Sequence, residues 1–554
     1  MLSLGPGTHA PSIGVTKHSD RVTPGEVVDM ASATTTAPIS ERERLLQNRW
    51  LVLFFSVLSM VAVANYQYAW TLFVNPIQKR FGGDVTVAAI SITFTVFVLL
   101  ETWLVPFEGW LVDKFGPRNL VLAGGVIAGA GWYLSAGATD LTSLYLAYAL
   151  SGIGAGVVYG TAIGSALKWF PDHRGLAAGI TAAGFGAGSA LTVQPIQDMI
   201  TSAGYPATFQ QWGLIQGAVV VIAALFLKAP PKGWLPRTWT AEAAAAEVKK
   251  RQTALDVTPA EMSRTKNFWL LYFMMTMVAT GGLMATAQLA PMAAQFKVDK
   301  FPINFAWISM TAITFALAAD RVVNGLCRPF WGWISDHIGR EKTMSVAFGL
   351  EGVAITLLIL SLQVFQDPLL FVVFSAFTFF GWAEIYSLFP ATVGDFFGRK
   401  YATTNYGLLY TAKGTASVFV PIGAALATGV AFDFRADILL LIGGLLIFFT
   451  LFLGPTLFRL DIRREAKTAL FFIAGVLVLY GLALTVKDFP TPFAAKFTVP
   501  NIGWAGVFAI AVIFDWTGAL LAFFVLRRMA VPTGGTRPSV AGMQPAPAGA
   551  GGDD

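Results

Sequence analysis

The sequence predicts an all-α polytopic membrane protein of about fourteen spans, two six-helix bundles with an extra transmembrane helix pair added to the second. Three observations predict it. Hydrophobic residues make up 55% of the 554 and charged residues only 13%, with 45 Phe, 16 Trp and a mean hydropathy of +0.62. A soluble domain carries roughly 25% charge. Apolar runs of about 20 residues, long enough to cross a hydrocarbon core, recur along most of the chain. A charged motif occurs twice, with Asp113 and Asp336 at matching places. This composition excludes a soluble enzyme, a disordered scaffold and a nucleic-acid partner, despite a net charge of +6 and a pI of 9.2. The single cysteine, Cys327, excludes disulfides and thiolate metal clusters, and His9, His18, His173 and His337 are too scattered to ligate a metal. No metal and no cofactor is expected.

Residues 1–48 are polar, rich in Thr, Ser, Pro and Gly, and have no apolar stretch where a signal peptide would carry one. They are expected to form a disordered cytoplasmic tail, as are residues 531–554. Between the tails, spans start near Trp50, Ala88, Asn119, Ser143, Arg174 and Ala207 (a bundle over 49–229). A polar linker, 230–266, carries a helix-like Ala-Glu-Lys stretch at Ala241 to Arg251. The second bundle, 267–530, has spans starting near Phe268, Pro302, Thr343, Pro368, Thr404, Ile438, Thr468 and Ala505. Helices are the expected element, because a segment alone in lipid must satisfy its own backbone hydrogen bonds. Gly124, Gly125, Gly129 and Gly131, then Gly152, Gly154 and Gly156, are spaced to let helix backbones approach closely.

Lys and Arg set the orientation. With the N-terminus inside, the cytoplasmic loops hold about 22 of them and the outer loops about 7, among them Lys79, Arg80, Lys297 and Lys300. Both termini are therefore expected in the cytoplasm. The spans at 438–486, joined by a basic connector from Arg459 to Lys467, read as an inserted peripheral hairpin that restores this topology.

The repeated motif runs Gly109-Trp-Leu-Val-Asp113-Lys114-Phe-Gly116-Pro-Arg118 after the second span and Gly332-Trp-Ile-Ser-Asp336-His337-Ile-Gly339-Arg340 after the eighth. It resembles the signature loop between spans two and three of the major facilitator superfamily, once per half. Parallel halves of this kind place a substrate site between them near mid-membrane. On that resemblance Asp113, Arg118, Asp336 and Arg340 are gating residues whose charges hold the cytoplasmic face closed.

Ionised groups within spans need a reason, since one at the bilayer centre costs at least about 2.5–3.5 kcal/mol. Three basic residues qualify: Arg321 and Arg328 in span eight and Lys413 in span eleven. Arg328 and Lys413, on different helices, suit a small dicarboxylate, with a planar fork for one carboxylate and a point charge for the other. Alternatively each neutralises a buried acid such as Asp320, Glu384 or Asp515. Arg321 divides evenly between an anion access path and an ion pair with Asp320.

Further segments narrow the resemblance. Tyr66-Gln67-Tyr68 through Asn75-Pro76, Val158-Tyr159-Gly160, Trp169 through Gly175, Asn324 through Gly332, Asn405 through Gly414 and Thr258 through Met262 look like the oxalate–formate antiporter family. The resemblance implies that Arg328 and Lys413 bind the dianion. It also implies an aromatic wall of Tyr68, Tyr159, Trp382, Tyr386 and Tyr410, with Gln67 as an amide donor. Two positions depart from the family: Ser91 stands where the exchanger has Gln, and Tyr410 where it has Trp. The acids Glu101, Glu108, Glu384 and Asp515 must be protonated, paired or remote if a dianion is to bind.

The expected function is secondary transport in the cell inner membrane, exchanging oxalate for formate by alternating access, by a monomer and without enzymatic chemistry. Swapping a dianion for a monoanion would move net negative charge inward. The alternative is a proton-coupled monocarboxylate symporter of the same fold, working through Asp320 or Glu384.

Overall fold

The computed structural model describes residues 48–82, 85–170, 174–231, 234, 236, 256–305, 308–398, 401–429, 432–433, 475, 496–497 and 499–529. The N-half contains α1 (Arg49–Tyr68), α2 (Trp70–Phe81), α3 (Val87–Trp103), α4 (Val105–Ser135), α5 (Leu141–Trp169), α6 (Arg174–Ala187) and α7 (Val193–Ala224). After a single turn, α8 (Pro259–Met262), come α9 (Lys266–Gln295), α10 (Ala312–Ile338), α11 (Arg340–Leu360), α12 (Pro368–Trp382), α13 (Ile385–Phe397), α14 (Ala402–Ser417), α15 (Phe419–Thr428), α16 (Gly503–Leu520) and α17 (Arg527–Met529). Helix starts follow side chains that satisfy free backbone amides. Thr86 accepts from Ala89, Thr265 from Phe268, and Asp140 and Ser143 cap each other's backbone.

Eight segments among the described residues are long and apolar enough to cross a membrane by length and composition. Helix α10 is not among them, with Asp320, Arg321 and Arg328 buried along it. Apart from residues 48 and 475, the inserted spans at 438–486, the Ala241 to Arg251 stretch and both tails lie outside the described residues. The backbone on either side of the insertion is paired, Phe432 with Phe497 and Asp433 with Lys496, so the chain leaves and returns at one point.

One expected boundary is corrected. The eighth span begins at Ala312, not near Pro302, because Pro302–Phe305 (β1) and Ile308–Thr311 (β2) form an antiparallel hairpin. Pro302 lacks a ladder donor and sits at the strand start, where none is needed, and Ile303, Phe305 and Ile308 favour extended backbone.

The repeated motif makes the same reversal in both halves. At Gly116 φ is +77° and at Gly339 +96°, and the chain turns there from one rod into the next. Only glycine adopts that backbone at little cost. Elsewhere small residues bring helices together as the spacing implied. A Cβ at Gly129 would lie 2.7 Å from the Gly213 carbonyl on α7, and one at Gly124 2.9 Å from the Gly154 carbonyl on α5.

Three seams join the halves. Helix α6 packs on α10, with Gly325 against Ala183 and Ala187. Helix α3 packs on α14, where Thr95 donates to the Ser417 carbonyl at 2.7 Å. Helix α2 packs on α9, where Thr71 accepts from the Ala290 amide at 2.9 Å.

Candidate substrate cage and charge cluster

The two cations singled out in the sequence converge from α10 and α14 on one aromatic cage. Arg328 is 1% exposed and Lys413 fully buried. The guanidinium carbon of Arg328 lies 4.1 Å from the Tyr386 ring centroid, and Lys413 Nζ lies 5.7 Å from the same ring. Tyr159 of α5 stacks on Tyr410 of α14 at 5.4 Å, and Trp382 of α12 meets Tyr386 edge-on at 5.4 Å. Tyr68 of α1 completes the wall, reached by Arg328 Nη2 at 3.5 Å. Every predicted substrate residue is thus buried, and the halves contribute to one site.

The two cations differ in what holds them. Arg328 meets neutral acceptors: Asn324 Oδ1 takes Nε at 3.2 Å and Nη2 at 2.9 Å, and the Ala182 carbonyl takes Nη1 at 2.6 Å. No carboxylate among the described residues is within ion-pair distance of it. Lys413 donates to Glu101 Oε2 at 3.0 Å, to Gln67 Oε1 at 2.9 Å and to the Tyr410 hydroxyl at 3.2 Å. Its counterion is therefore Glu101 on α3, not Asp320, Glu384 or Asp515. The pairing was missed because the two are 312 residues apart. The available signal was one acid and one base, each alone within an apolar helix.

Arg321 belongs to the cage wall more closely than its spacing suggested. Its guanidinium lies between Tyr68 at 4.3 Å and Phe379 at 4.2 Å, and Asp320 Oδ2 is 3.9 Å away. Asp320 also accepts from the Ser375 hydroxyl at 2.5 Å. Gln67 Nε2, Trp382 Nε1, the Tyr386 hydroxyl and all three Arg321 nitrogens are buried without a hydrogen-bond partner. All of them can donate, which suits an anion bearing several acceptor oxygens. Ser91, the departure on α3, accepts from Gln288 Nε2 of α9 at 2.6 Å, so another amide stands beside it.

At the end where α4 and α11 begin their return, the second copy of the motif forms a charge cluster. Arg340 pairs with Asp336 at 2.7 Å and with Asp395 of α13 at 3.1 Å, and it also meets the Ser335 hydroxyl. Asp395 was not foreseen; it lies three residues before Gly398, at the end of the tenth rod. In the first copy, Arg118 is partly buried with Nε unpartnered, and the Asp113 side chain lies outside the described residues. At the opposite end a cavity of about 560 Å³ opens among Asn75, Lys79, Pro291, Gln295 and Trp504, where α2 and α9 finish. No cage residue lines it.

The sequence profile of the Major Facilitator Superfamily matches residues 50–421. The oxalate:formate antiporter of Oxalobacter formigenes is 37% identical over 385 residues, covering 69% of this chain and 86% of that protein. Monocarboxylate transporter 11 of Homo sapiens is 33% identical over 131 residues, 24% of this chain and 26% of that one. Among solved structures, the crystal structure of a peptide transporter POT in complex with alafosfalin has a TM-score of 0.52 at 13% identity, covering 81% of this chain and 97% of that one. At that identity the likeness concerns the fold alone.

Proposed function

The chain belongs to the Major Facilitator Superfamily and within it to the oxalate–formate antiporter family, and from that premise we propose that it exchanges oxalate for formate by alternating access. The two bundles, 49–229 and 267–530, rock about the cage as units, with both termini in the cytoplasm of a cell whose inner membrane holds the carrier. A monomer suffices, because one chain supplies the whole cage.

The observation that carries this reading is Arg328, buried inside the helical body with its charge facing neutral acceptors and an aromatic face. A cation in that position is costly unless an anion visits it. The fork takes one carboxylate of oxalate and Lys413 the other, while the cage aromatics exclude water and strengthen both attractions. Gln67, Trp382, Tyr386 and Arg321 supply donors to the remaining oxygens. The Asp336–Arg340–Asp395 cluster acts as the cytoplasmic lock, and Asp113 with Arg118 forms its counterpart in the first half.

Counterflow in proteoliposomes tests the reading. Labelled oxalate is expected to enter vesicles loaded with formate or unlabelled oxalate and not vesicles lacking an exchangeable anion. Equal uptake into both would refute exchange.

A further inference from the structure

We propose that the cavity where α2 and α9 finish is an anion-docking vestibule, in which Lys79 and the amides of Asn75 and Gln295 hold a small carboxylate before it reaches the cage. The inference rests on the exchange reading above and deepens it by adding a first stop on the substrate's path.

The cavity, about 560 Å³, falls in the size range of small-molecule pockets. Both halves build it: Asn75, Gln78 and Lys79 come from α2, and Gln295, Thr428 and Trp504 from α9, α15 and α16. Lys79 is the one charged residue that lines it among the described residues, so no carboxylate there opposes an anion. Asn75 and Lys79 are exposed and stand one helical turn apart on α2. Trp504 Nε1 donates to Gln295 Oε1 at 2.8 Å, which fixes that amide and leaves its N–H groups for another acceptor. Gln78 instead spends its amide on the Val85 carbonyl at 3.2 Å and holds the turn between α2 and α3. The neighbouring cation, Arg80, is turned elsewhere, its guanidinium 5.5 Å from the Tyr205 ring centroid.

The cavity lies in line with the cage. Gln78, Asn75, Thr71 and Gln67 follow one another at spacings of three or four residues along the rod Arg49–Phe81, so one face descends from the cavity to the cage over about 16 Å at 1.5 Å per residue. On α9, Gln295 and Gln288 are two turns apart and mark the same descent. Between cavity and cage two hydrogen bonds close the seam, from the Ala290 amide to Thr71 at 2.9 Å and from Gln288 Nε2 to Ser91 at 2.6 Å. Both are neutral, and neutral bonds part at smaller cost than the charged ties of Arg328 and Lys413 below them. Gln288 Oε1 is buried beside them without a partner.

A dianion cannot shed all its water at once without a large penalty. Lys79 and two amides replace part of the hydration shell while solvent keeps the rest, and the dry cage completes the replacement. One solvated cation holds the guest weakly, as a stop on a path requires.

The charge of the guest supplies the test. Coulomb attraction scales with it, so losing Lys79 costs oxalate twice the free energy that it costs formate. The full chain is assayed by counterflow in proteoliposomes at low ionic strength, with the KM for oxalate and for formate measured separately. Lys79→Cys is treated in detergent, before reconstitution, with a trimethylammonium or a sulfonate methanethiosulfonate, which places a positive or a negative group at one position. The wild type, whose Cys327 is 2% exposed, is treated alike as the control. Untreated Lys79→Cys is expected to raise the KM about fivefold for oxalate and about twofold for formate. The sulfonate should raise both further, and the trimethylammonium should return both to within about twofold of the wild type. Salt at about 0.5 M should shrink the oxalate effect below about twofold, because the screening length is then only about 4 Å. Arg80→Gln should change the oxalate KM by less than about twofold.

Equal shifts for oxalate and formate, or equal slowing by the two reagents, would make Lys79 a wall residue and overturn the inference while leaving exchange intact. So would an effect of Arg80→Gln as large as that of Lys79→Gln, which assigns the attraction to the diffuse charge of this end. Absence of exchange by the wild type overturns the transport reading and the inference with it. Should Lys79→Cys fail to insert, Lys79→Gln and Lys79→Glu provide the neutral and negative arms against the wild type.

Discussion

Replacing Arg328 by Lys keeps the charge and removes the fork. In the folded chain Nε and Nη2 sit 3.2 and 2.9 Å from Asn324 Oδ1, Nη1 sits 2.6 Å from the Ala182 carbonyl, and the plane covers Tyr386. An ammonium concentrates its donors at one point and cannot span Asn324, Ala182 and a substrate carboxylate together. Hydrogen bonds to charged groups contribute about 1.5–3 kcal/mol each. Losing two, with partial replacement of one, leaves a deficit of about 3 kcal/mol in the anion-bound state. At 1.4 kcal/mol per tenfold this is about a hundredfold. Arg328→Lys is therefore expected to lower kcat/KM for oxalate counterflow roughly a hundredfold, and Arg328→Gln by more than about a thousandfold. Labelled-oxalate counterflow at matched insertion, checked by size-exclusion of the detergent-extracted protein, measures both. If Arg328→Lys stays within about threefold of the wild type, the guanidinium is a strut between α10 and α6 and not a ligand.

Three further perturbations follow from the geometry. A Cβ at Gly282 would fall on the Trp382 indole, so Gly282→Ala should displace that wall and raise the KM for oxalate about tenfold, at about 1.4 kcal/mol per factor of ten, with a smaller effect on kcat. In the charge cluster, Asp336 is 62% exposed and Asp395 15%, and exposed pairs contribute only about 0–1 kcal/mol. Asp395→Asn should thus lower the melting temperature and alter exchange rate more than Asp336→Asn, as read by thermal unfolding and counterflow; equal effects would argue against the lock. At the start of α5 the Ser143 backbone amide holds the Asp140 carboxyl below the usual carboxylate range. A depressed value stabilises the fold above the unfolded value and is lost as pH falls through the folded one. Asp140→Ala should cost about 1 kcal/mol near neutral pH, measured by denaturation, and the gap should shrink below about pH 4.

Composition and periodicity were enough to read the helical membrane body, because lipid leaves few backbone solutions and apolar length marks each span directly. The reversals at Gly116 and Gly339 were legible as a repeat, although their left-handed backbone was not, since a motif shows residues and not dihedrals. The hairpin at Pro302–Thr311 escaped because its Ile, Phe and Met content reads as the start of an apolar span. Arg328, Lys413 and their aromatic neighbours were legible because charge within an apolar run is conspicuous. Their partners were not. Glu101 for Lys413, Ala182 for Arg328 and Asp395 for Arg340 are contacts between distant elements, set by packing angles that no local pattern encodes.

Those partners bear on how binding and movement are joined. Arg328 rises from the second half yet donates to Ala182 and Tyr68 of the first, and Lys413 of the second half is held by Glu101 and Gln67 of the first. On the proposed reading each cation is at once a ligand of the anion and a tie across the seam that alternating access must open. A ligand can shift such an equilibrium only by the difference in its affinity for the two arrangements. An anion that takes up the fork and the ammonium competes with the ties to Tyr68 and Glu101, so its arrival weakens the seam at its middle. Without the anion the ties re-form and the carrier has no favourable way to reorient. On the proposed reading that competition makes exchange obligatory, with no latch beyond the residues proposed to hold the substrate.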